Sequence, residues 1–410
     1  MVYFIVLCII LFCIYTYDYK QSKVGGMVMY VVICVFLILI VGLRYRIGGD
    51  SIDYENEFNR IPTLVHLGSF RFESIRWAPG FTLFMIISKS LYPDFTMFQL
   101  LHATIVNSII FWFILHNTRN KFIAICIYYI SMYLYFNVEV LRESLAVCMF
   151  LLAWPFFRKG QWLFYYLMVI GATFFHVSAL FTFLLPCLAI PGVRNLFRLG
   201  YKTIFILIIL FGISLYIGER FFSMIKLLSM NETINERADV YGKSTTFGFM
   251  VLNVMGMLEA MLKDILIPVL ALWFFRLTMK NKEGTDEYKA FRKMEILIMA
   301  NIYISTVALS IIMVSRFSNY LNLFVYVMIA SCFFQKVELK KKKKKVRLSS
   351  LYWSFIFLVV TSVYMKGYFG NTYGSSTNKR YMLYYPYYSV LDPQEDPRRE
   401  EILRYRVHIK

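Results

Sequence analysis

Apolar runs of about 15 to 25 residues recur along this chain from one end to the other, with mostly short polar connections between them. Wound as a helix, a run of that length matches the hydrocarbon thickness of a bilayer. No water is available there, so only helices and closed barrels satisfy their backbone groups. The runs are continuous and not alternating, which selects helices. With 59% hydrophobic and 17% charged residues in 410, and a mean hydropathy of +0.57, the chain is too apolar for a water-soluble domain. The expected fold class is therefore all-α, a polytopic integral membrane helical bundle.

Apolar segments fall at 2–17, 24–43, 78–93, 97–116, 121–137, 140–157, 162–190, 201–217, 248–279, 294–313, 318–335 and 348–366. The first has neither a basic stretch before it nor a small-residue cleavage site, and 24–43 follows at once, so it reads as a retained span and not a signal peptide. All seven cysteines lie in apolar runs without Cys-x-x-Cys spacing, which points to neither disulfides nor zinc. The net charge of +19 sits largely in short loops, as the positive-inside rule produces, and is no sign of nucleic-acid binding.

Those loops also set an expected topology. The six-lysine run Lys340 to Lys345 marks a cytoplasmic, solvated loop. Counting back from it puts Lys280 to Lys293 inside, 218–247 outside and Arg194 to Lys202 inside. Lys20 and Lys23 inside put 44–77 outside. Between these, 162–190 is either one long span or a helical hairpin. The hairpin places Arg119, Lys121, Arg158 and Lys159 inside and is favoured by charge; it brings Arg142 and His176 near the outer face. Residues 1–366 then form a single multi-span membrane domain with outer loops 44–77 and 218–247, and 367–410 is a polar tail on the outer side. Phe58, Ile61, Leu64 and Val65 recur at helical spacing, which predicts an amphipathic helix on the outer leaflet.

Four groups of residues could carry chemistry. Where the second span surfaces, Gly42 to Tyr54 reads GLRYRIGGDSIDY. Arg44 and Arg46 beside a Gly-Gly turn suit a phosphate, because guanidinium forks bind its oxygens bidentately, and Asp50 and Asp53 could orient a hydroxyl. Span-flanking arginines beside a simple turn would look the same. In Asn137 to Ala146, Glu139, Arg142 and Glu143 lie between two apolar runs with no polar loop around them. Ionisable residues at such depth point to function, with a helix-terminal ion pair as the structural alternative. His176, alone within 162–190, suits either a packing role or a general base. Arg316 in SRFSNY faces outward by topology, as a further site cation or a helix anchor. Glu259 and Lys263 fit an intrahelical pair. Glu232, Glu236, Arg237, Asp239 and Tyr241 offer a sugar-facing surface without diagnostic spacing. No Walker, Rossmann, HExxH or GxSxG pattern occurs, so the substrates arrive already activated.

Taken together, GLRYRIGGDSIDY, VLRESLA, FFHVSAL, SRFSNY and the late YPYYSVL (Tyr385 to Leu391) resemble the EpsG family of bacterial exopolysaccharide proteins, Wzy-like polymerases. Gly48, Asp50 and Tyr54 match the family's Gly-x-Asp-x-x-x-Tyr. Position 143 departs, being glutamate where glutamine is more usual. The resemblance implies a GT-C/Wzy-like bundle of about 11–13 transmembrane or re-entrant helices. It also implies a multi-pass protein of the bacterial cytoplasmic membrane that polymerises undecaprenyl-diphosphate-linked oligosaccharide units for capsule, exopolysaccharide or O-antigen at the outer face. On that basis His176, Asp50 and Arg142 are the expected catalytic residues, and Arg44, Arg46, Asp53, Tyr54 and Arg316 the expected substrate-binding ones. No cofactor and no metal is implied. The expected partners are the lipid-linked oligosaccharide, membrane lipid, and the chain-length regulator and flippase of the same pathway. The competing readings are a lipid-linked sugar flippase, against which no matched halves are visible, and a polysaccharide acyltransferase.

Overall fold

Helices make up almost all of the regular structure in the computed structural model, which describes residues 2–69, 77–228, 254–279, 284–334, 338–341, 344–347, 350–370 and 379–402. Internal contacts gather into two compact units, Met1–Phe183 with Tyr364–Lys410, and Leu184–Val363. Val2–Tyr19, Phe95–Asn117 and Ile312–Cys332 are each long and apolar enough to cross a membrane, and Gly26–Gly42, Pro79–Leu91, Lys121–Tyr133, Trp162–Phe175, Val177–Ala189 and Tyr201–Tyr216 are shorter apolar helices.

The first unit is built from α1 (Val2–Cys13, continued by a π-helical turn), α2 (Gly26–Gly42), α3 (Ser51–Arg60), α4 (Pro79–Leu91), α5 (Phe95–Asn117), α6 (Lys121–Tyr128), α7 (Leu141–Lys159) and α8 (Trp162–Phe175). Its axis is α5, which packs against α2, α4, α6 and α7. Local chemistry fixes the ends. The Asp94 side chain accepts the Thr96 N–H at 2.7 Å to start α5. Buried Asp18 accepts the Ile123 N–H at 2.8 Å, capping α6 from across the unit. Gly160, at φ 73°, closes α7 in the left-handed conformation that glycine adopts without strain.

Between α6 and α7 the chain runs through two π-helical turns, Tyr129–Tyr133 and Tyr135–Glu139. Widening a helix in this way disturbs its hydrogen-bond ladder, and in an apolar interior something must take up the loosened groups. Asn137 does so: its amide donates to the Tyr133 carbonyl (2.8 Å) and the Tyr128 hydroxyl (3.1 Å) while accepting from Asn107 (2.9 Å). This buried network fixes the backbone just before Glu139.

After α8 the segment 162–190 breaks at His176, whose backbone is extended, and continues as a 3-10 helix, Val177–Ala189. The Tyr165 hydroxyl donates to the Thr182 carbonyl at 2.6 Å, and the Tyr166 and Phe183 rings stack at 5.7 Å. In one straight α-helix residues 165 and 182 would stand about 25 Å apart. The segment is therefore a hairpin with His176 at its turn, the alternative that charge favoured.

The amphipathic helix expected over 58–65 does not form as one piece. α3 ends at Arg60, Phe58 and Ile61 are buried, and Leu64 and Val65 sit exposed on a separate 3-10 turn, Leu64–Ser69. The cause is Lys89, whose ammonium donates to the carbonyls of Phe58 (2.9 Å), Asn59 (3.0 Å) and Ile61 (2.7 Å) and so terminates α3. Phe58 packs inward on Phe95 and Phe98.

The second unit holds α9 (Tyr201–Leu228), α10 (Val254–Met261), α11 (Ile267–Met279), α12 (Asp286–Ala308) and α13 (Ser315–Cys332), with α12 lying along α13 and α11 against both. Thr285 caps α12 by accepting the Tyr288 N–H at 3.2 Å. Lys263 pairs with Asp264 at 3.3 Å. Within the lysine run, expected as a loop, Glu338–Lys341 and Lys344–Arg347 form an antiparallel pair of strands. α14 (Ser350–Phe369) leads back to the first unit. The loop residues Glu232 to Tyr241 lie outside the described residues.

Candidate functional site

The turn from Leu43 to Asp50 is held on one side by the tail and on the other by the end of the π-helical segment. The Tyr45 N–H donates to the Tyr388 carbonyl (2.9 Å), the Val390 N–H to the Leu43 carbonyl (2.9 Å) and the Gly48 N–H to the Leu383 carbonyl (3.0 Å). Gly48, at φ 99°, is required twice over: its backbone is left-handed, and a Cβ there would fall on Cγ1 of Val138. That close approach lets the next amide, Gly49 N–H, donate to Glu139 Oε1 at 2.9 Å, and the same oxygen accepts the Tyr384 hydroxyl at 3.0 Å. Glu139 thus joins three distant stretches of chain in a buried position.

Beside it stands Arg142. Its guanidinium carbon lies 4.0 Å from the Trp77 ring centroid, within cation–π attraction, and it hydrogen-bonds the Tyr54 hydroxyl. Tyr54 packs on Trp77 (5.5 Å) and Phe81 (5.7 Å). Burial pushes its hydroxyl up to about 12, with the Arg142 charge pulling the other way and Asp50 adding to the rise. Asp50 sits at the N-terminus of α3 and Asp53 in its first turn. Arg380, exposed at its residue surface, hydrogen-bonds Tyr384 and is electrostatically coupled to Glu139. Two guanidiniums, Arg380 and Arg44, are therefore electrostatically coupled to the Glu139 carboxylate.

His176 reaches the same end of the unit. α7 starts at Leu141, turns at Gly160 and packs along α8, so the start of α7 and the end of α8 lie together. Gly80, three residues after Trp77, confirms the closeness, since a Cβ on it would come within 2.8 Å of the Phe174 carbonyl oxygen. The Ser178 N–H donates to His176 Nδ1 at 3.2 Å, and the Ser178 hydroxyl lies 2.6 Å from the same nitrogen. A nitrogen that accepts from an amide carries no hydrogen, so the neutral ring holds its proton on Nε2.

The expected substrate-binding arginines are placed differently from one another. Arg44 is buried, its guanidinium donating to the Val41 carbonyl at the end of α2, and burial lowers its pKa to about 10. Arg46 faces three carboxylates, Glu55 (3.6 Å), Glu395 (3.3 Å) and Glu400 (3.7 Å). Both tie the turn to its surroundings. Arg316 begins α13 and belongs to the second unit. Among the first-unit residues, Asp50, Tyr54, Arg142 and His176 share one end with Glu139 of the charged break, and with Trp77, Arg380 and Tyr384 as members that the sequence did not single out. A buried histidine also supports this end: His102 Nε2 lies 3.0 Å from the Leu141 carbonyl and 3.1 Å from Ser144 Oγ, under the first turn of α7.

The stretch that contains this arrangement, residues 27–389, matches the EpsG family over most of the chain. The chain belongs to the EpsG family. No curated protein and no solved structure matches it. EpsG membership supports an exopolysaccharide polymerase-like role and, with the apolar helices, makes this a membrane protein of polysaccharide biosynthesis.

Proposed function

We propose that this EpsG protein is a glycosyltransferase-type polymerase that joins oligosaccharide repeat units carried on undecaprenyl diphosphate, working at the outer face of the bacterial cytoplasmic membrane in a multi-pass topology. The observation that carries this reading is the placement of Arg142, a planar cation set on Trp77 and Tyr54 at the end of the bundle that also holds Asp50 and His176.

In the reaction, a hydroxyl of the acceptor chain attacks the anomeric carbon of the donor sugar. The bond from that carbon to the diphosphate oxygen breaks, and its electron pair leaves with the lipid diphosphate. Arg142 and Arg380 stabilise the charge growing on the leaving oxygens, the largest electrostatic demand of such a step. The step as proposed uses these fixed cations in place of a metal ion. With Nδ1 engaged by Ser178, His176 presents an Nε2–H, which suits donation of a hydrogen bond, with no proton transferred, to a leaving oxygen. The acceptor proton then passes to Asp50. Tyr54 and Asp53 hold sugar or the α3 turn.

The test is the lipid-linked glycan profile of cells lacking the protein, complemented with wild type, Arg142→Ala or His176→Ala at matched membrane levels. Long chains with wild type and single lipid-linked units outside the membrane with both variants support the polymerase. Single units retained on the cytoplasmic face would instead identify a flippase, and loss of ester groups on chains of unchanged length an acyltransferase.

A further inference from the structure

The second unit contains a concentration of arginine that the polymerase reading does not use. The segment Arg194 to Gly200 is fastened down by three contacts. The Tyr303 hydroxyl donates to the Leu196 carbonyl at 2.7 Å, Arg276 Nη1 donates to the Leu199 carbonyl at 2.6 Å, and the Leu199 N–H donates to Glu295 Oε1 at 3.4 Å. Stacking of Phe197 on Tyr303 at 5.2 Å adds a fourth. This brings Arg198 to Arg276 of α11 and Arg292 of α12. Arg292 pairs with buried Glu295, while Arg198 and Arg276 are near enough to repel the Arg292 charge and attract the Glu295 carboxylate. Among the described residues three guanidiniums thus surround a single carboxylate, with Arg194 one turn earlier in the same segment. Nε of Arg194 and Nε of Arg198 are buried and have no hydrogen-bond partner.

A cluster with surplus charge and unfilled donors is costly in an apolar setting unless an anion completes it. The surroundings indicate which kind. Leu196, Tyr201 and Trp273 beside the cluster are large, apolar and exposed, the pattern of a membrane interface. Both arginine-bearing stretches also fall on the side that the loop charges mark as cytoplasmic. We infer that Arg194, Arg198, Arg276 and Arg292 form a binding site for the phosphate of an anionic phospholipid headgroup, with its acyl chains along the exposed apolar side chains. Guanidinium is suited to this, since its fork meets two phosphate oxygens at once.

The experiment uses the full chain purified in a neutral detergent. Its melting temperature is followed while phosphatidylglycerol, phosphatidylcholine or inorganic phosphate is titrated in, for wild type, Arg198→Gln/Arg276→Gln and the control Arg158→Gln/Lys159→Gln in the first unit. Stabilisation by phosphatidylglycerol alone is expected, equal in wild type and control. One cation near an anionic lipid surface is worth about fivefold in affinity, so the double variant should bind roughly 25-fold more weakly. Arg276→Lys, which keeps the charge and loses the fork, should fall between. Equal shifts with phosphatidylcholine, or a double variant that binds phosphatidylglycerol as wild type does, would overturn the site. A shift with inorganic phosphate matching that of the lipid would overturn the headgroup assignment in favour of a soluble phosphate. If the double variant does not fold, the affinity of Arg276→Lys decides: unchanged from wild type, the inference fails.

Discussion

Around the Leu43–Asp50 turn of the first unit, arginines meet groups that answer them: Arg44 a helix-end carbonyl, Arg46 three carboxylates, Arg142 an indole face and a phenol. Around Glu295 of the second unit, by contrast, three arginines share one carboxylate, with Arg276 donating also to the Leu199 carbonyl. Both arrangements sit in an apolar protein, where an unanswered charge is expensive. The difference teaches how to separate an arginine that builds the protein from one that awaits something else. Arg44 and Arg46 are tied to the fold by those contacts, although Nε of each lacks a hydrogen-bond partner, as Nε of Arg194 and of Arg198 does. Arg142 is intermediate, because an indole and a phenol hold it in place without neutralising its charge, which is the condition a catalytic cation needs. The second-unit cluster has charge in excess.

The sharpest way to break this contrast is to remove an answering group from the first unit. Glu139→Ala leaves the Gly49 amide and the Tyr384 hydroxyl without their buried acceptor, a loss of about 2–6 kcal/mol at roughly 1–3 per group. Glu139→Gln, which keeps an oxygen there, should recover most of the melting temperature. If alanine and glutamine melt alike, Glu139 is not what joins these strands of chain. Gly48→Ala should cost about 2–4 kcal/mol from overpacking against Val138 together with the left-handed backbone. Val138→Ala in the same chain should restore the part due to packing, and a double variant no better than Gly48→Ala would put the whole cost in the backbone.

Arg142→Lys tests function apart from folding. The ammonium keeps the charge but neither stacks on Trp77 nor presents a fork, so chain polymerisation in membranes should fall by about 10²–10³ with melting nearly unchanged. Wild-type turnover in that variant would mean Arg142 only anchors α7. Arg46→Gln should cost about 1 kcal/mol or less, since its ion pairs are partly exposed, and should leave polymerisation intact. A large fall in polymerisation would return Arg46 to the substrate. Smallest is Arg276→Gln in lipid-free detergent. It loses one hydrogen bond but relieves repulsion with Arg292, and the melting temperature should stay within about 0.5 kcal/mol equivalent of wild type.

Much of this was legible in the sequence because membrane helices declare themselves by length and hydropathy, and charge bias alone selected the hairpin at His176. The motif around Asp50 and Tyr54 and the charged break at Glu139 and Arg142 were visible as departures from apolar monotony. What the sequence left hidden is pairing over distance. Nothing local to Glu139 says that its carboxylate accepts from Gly49 and Tyr384, and Arg380 and Trp77 look like ordinary loop residues until the fold brings them beside Glu139 and Arg142. Arg44 and Arg46 drew attention as a pair of phosphate forks because their answering carbonyl and carboxylates include groups some 350 residues away in the tail. Lys89 ended α3 early for a similar reason, a tertiary cap overriding a helical period.

The bond from Tyr384 to Glu139 spans 245 residues of chain, and the whole second unit is threaded between them. A ribosome adding about 5–20 residues per second takes on the order of 10–50 s to cover that interval. Throughout it, the carboxylate and the Gly49 turn are already in the membrane while the segment that closes over them has yet to emerge. Nascent chains of this protein therefore pass through a long adolescence in which the future site is open, and a membrane chaperone or protease has its best opportunity to act in that interval.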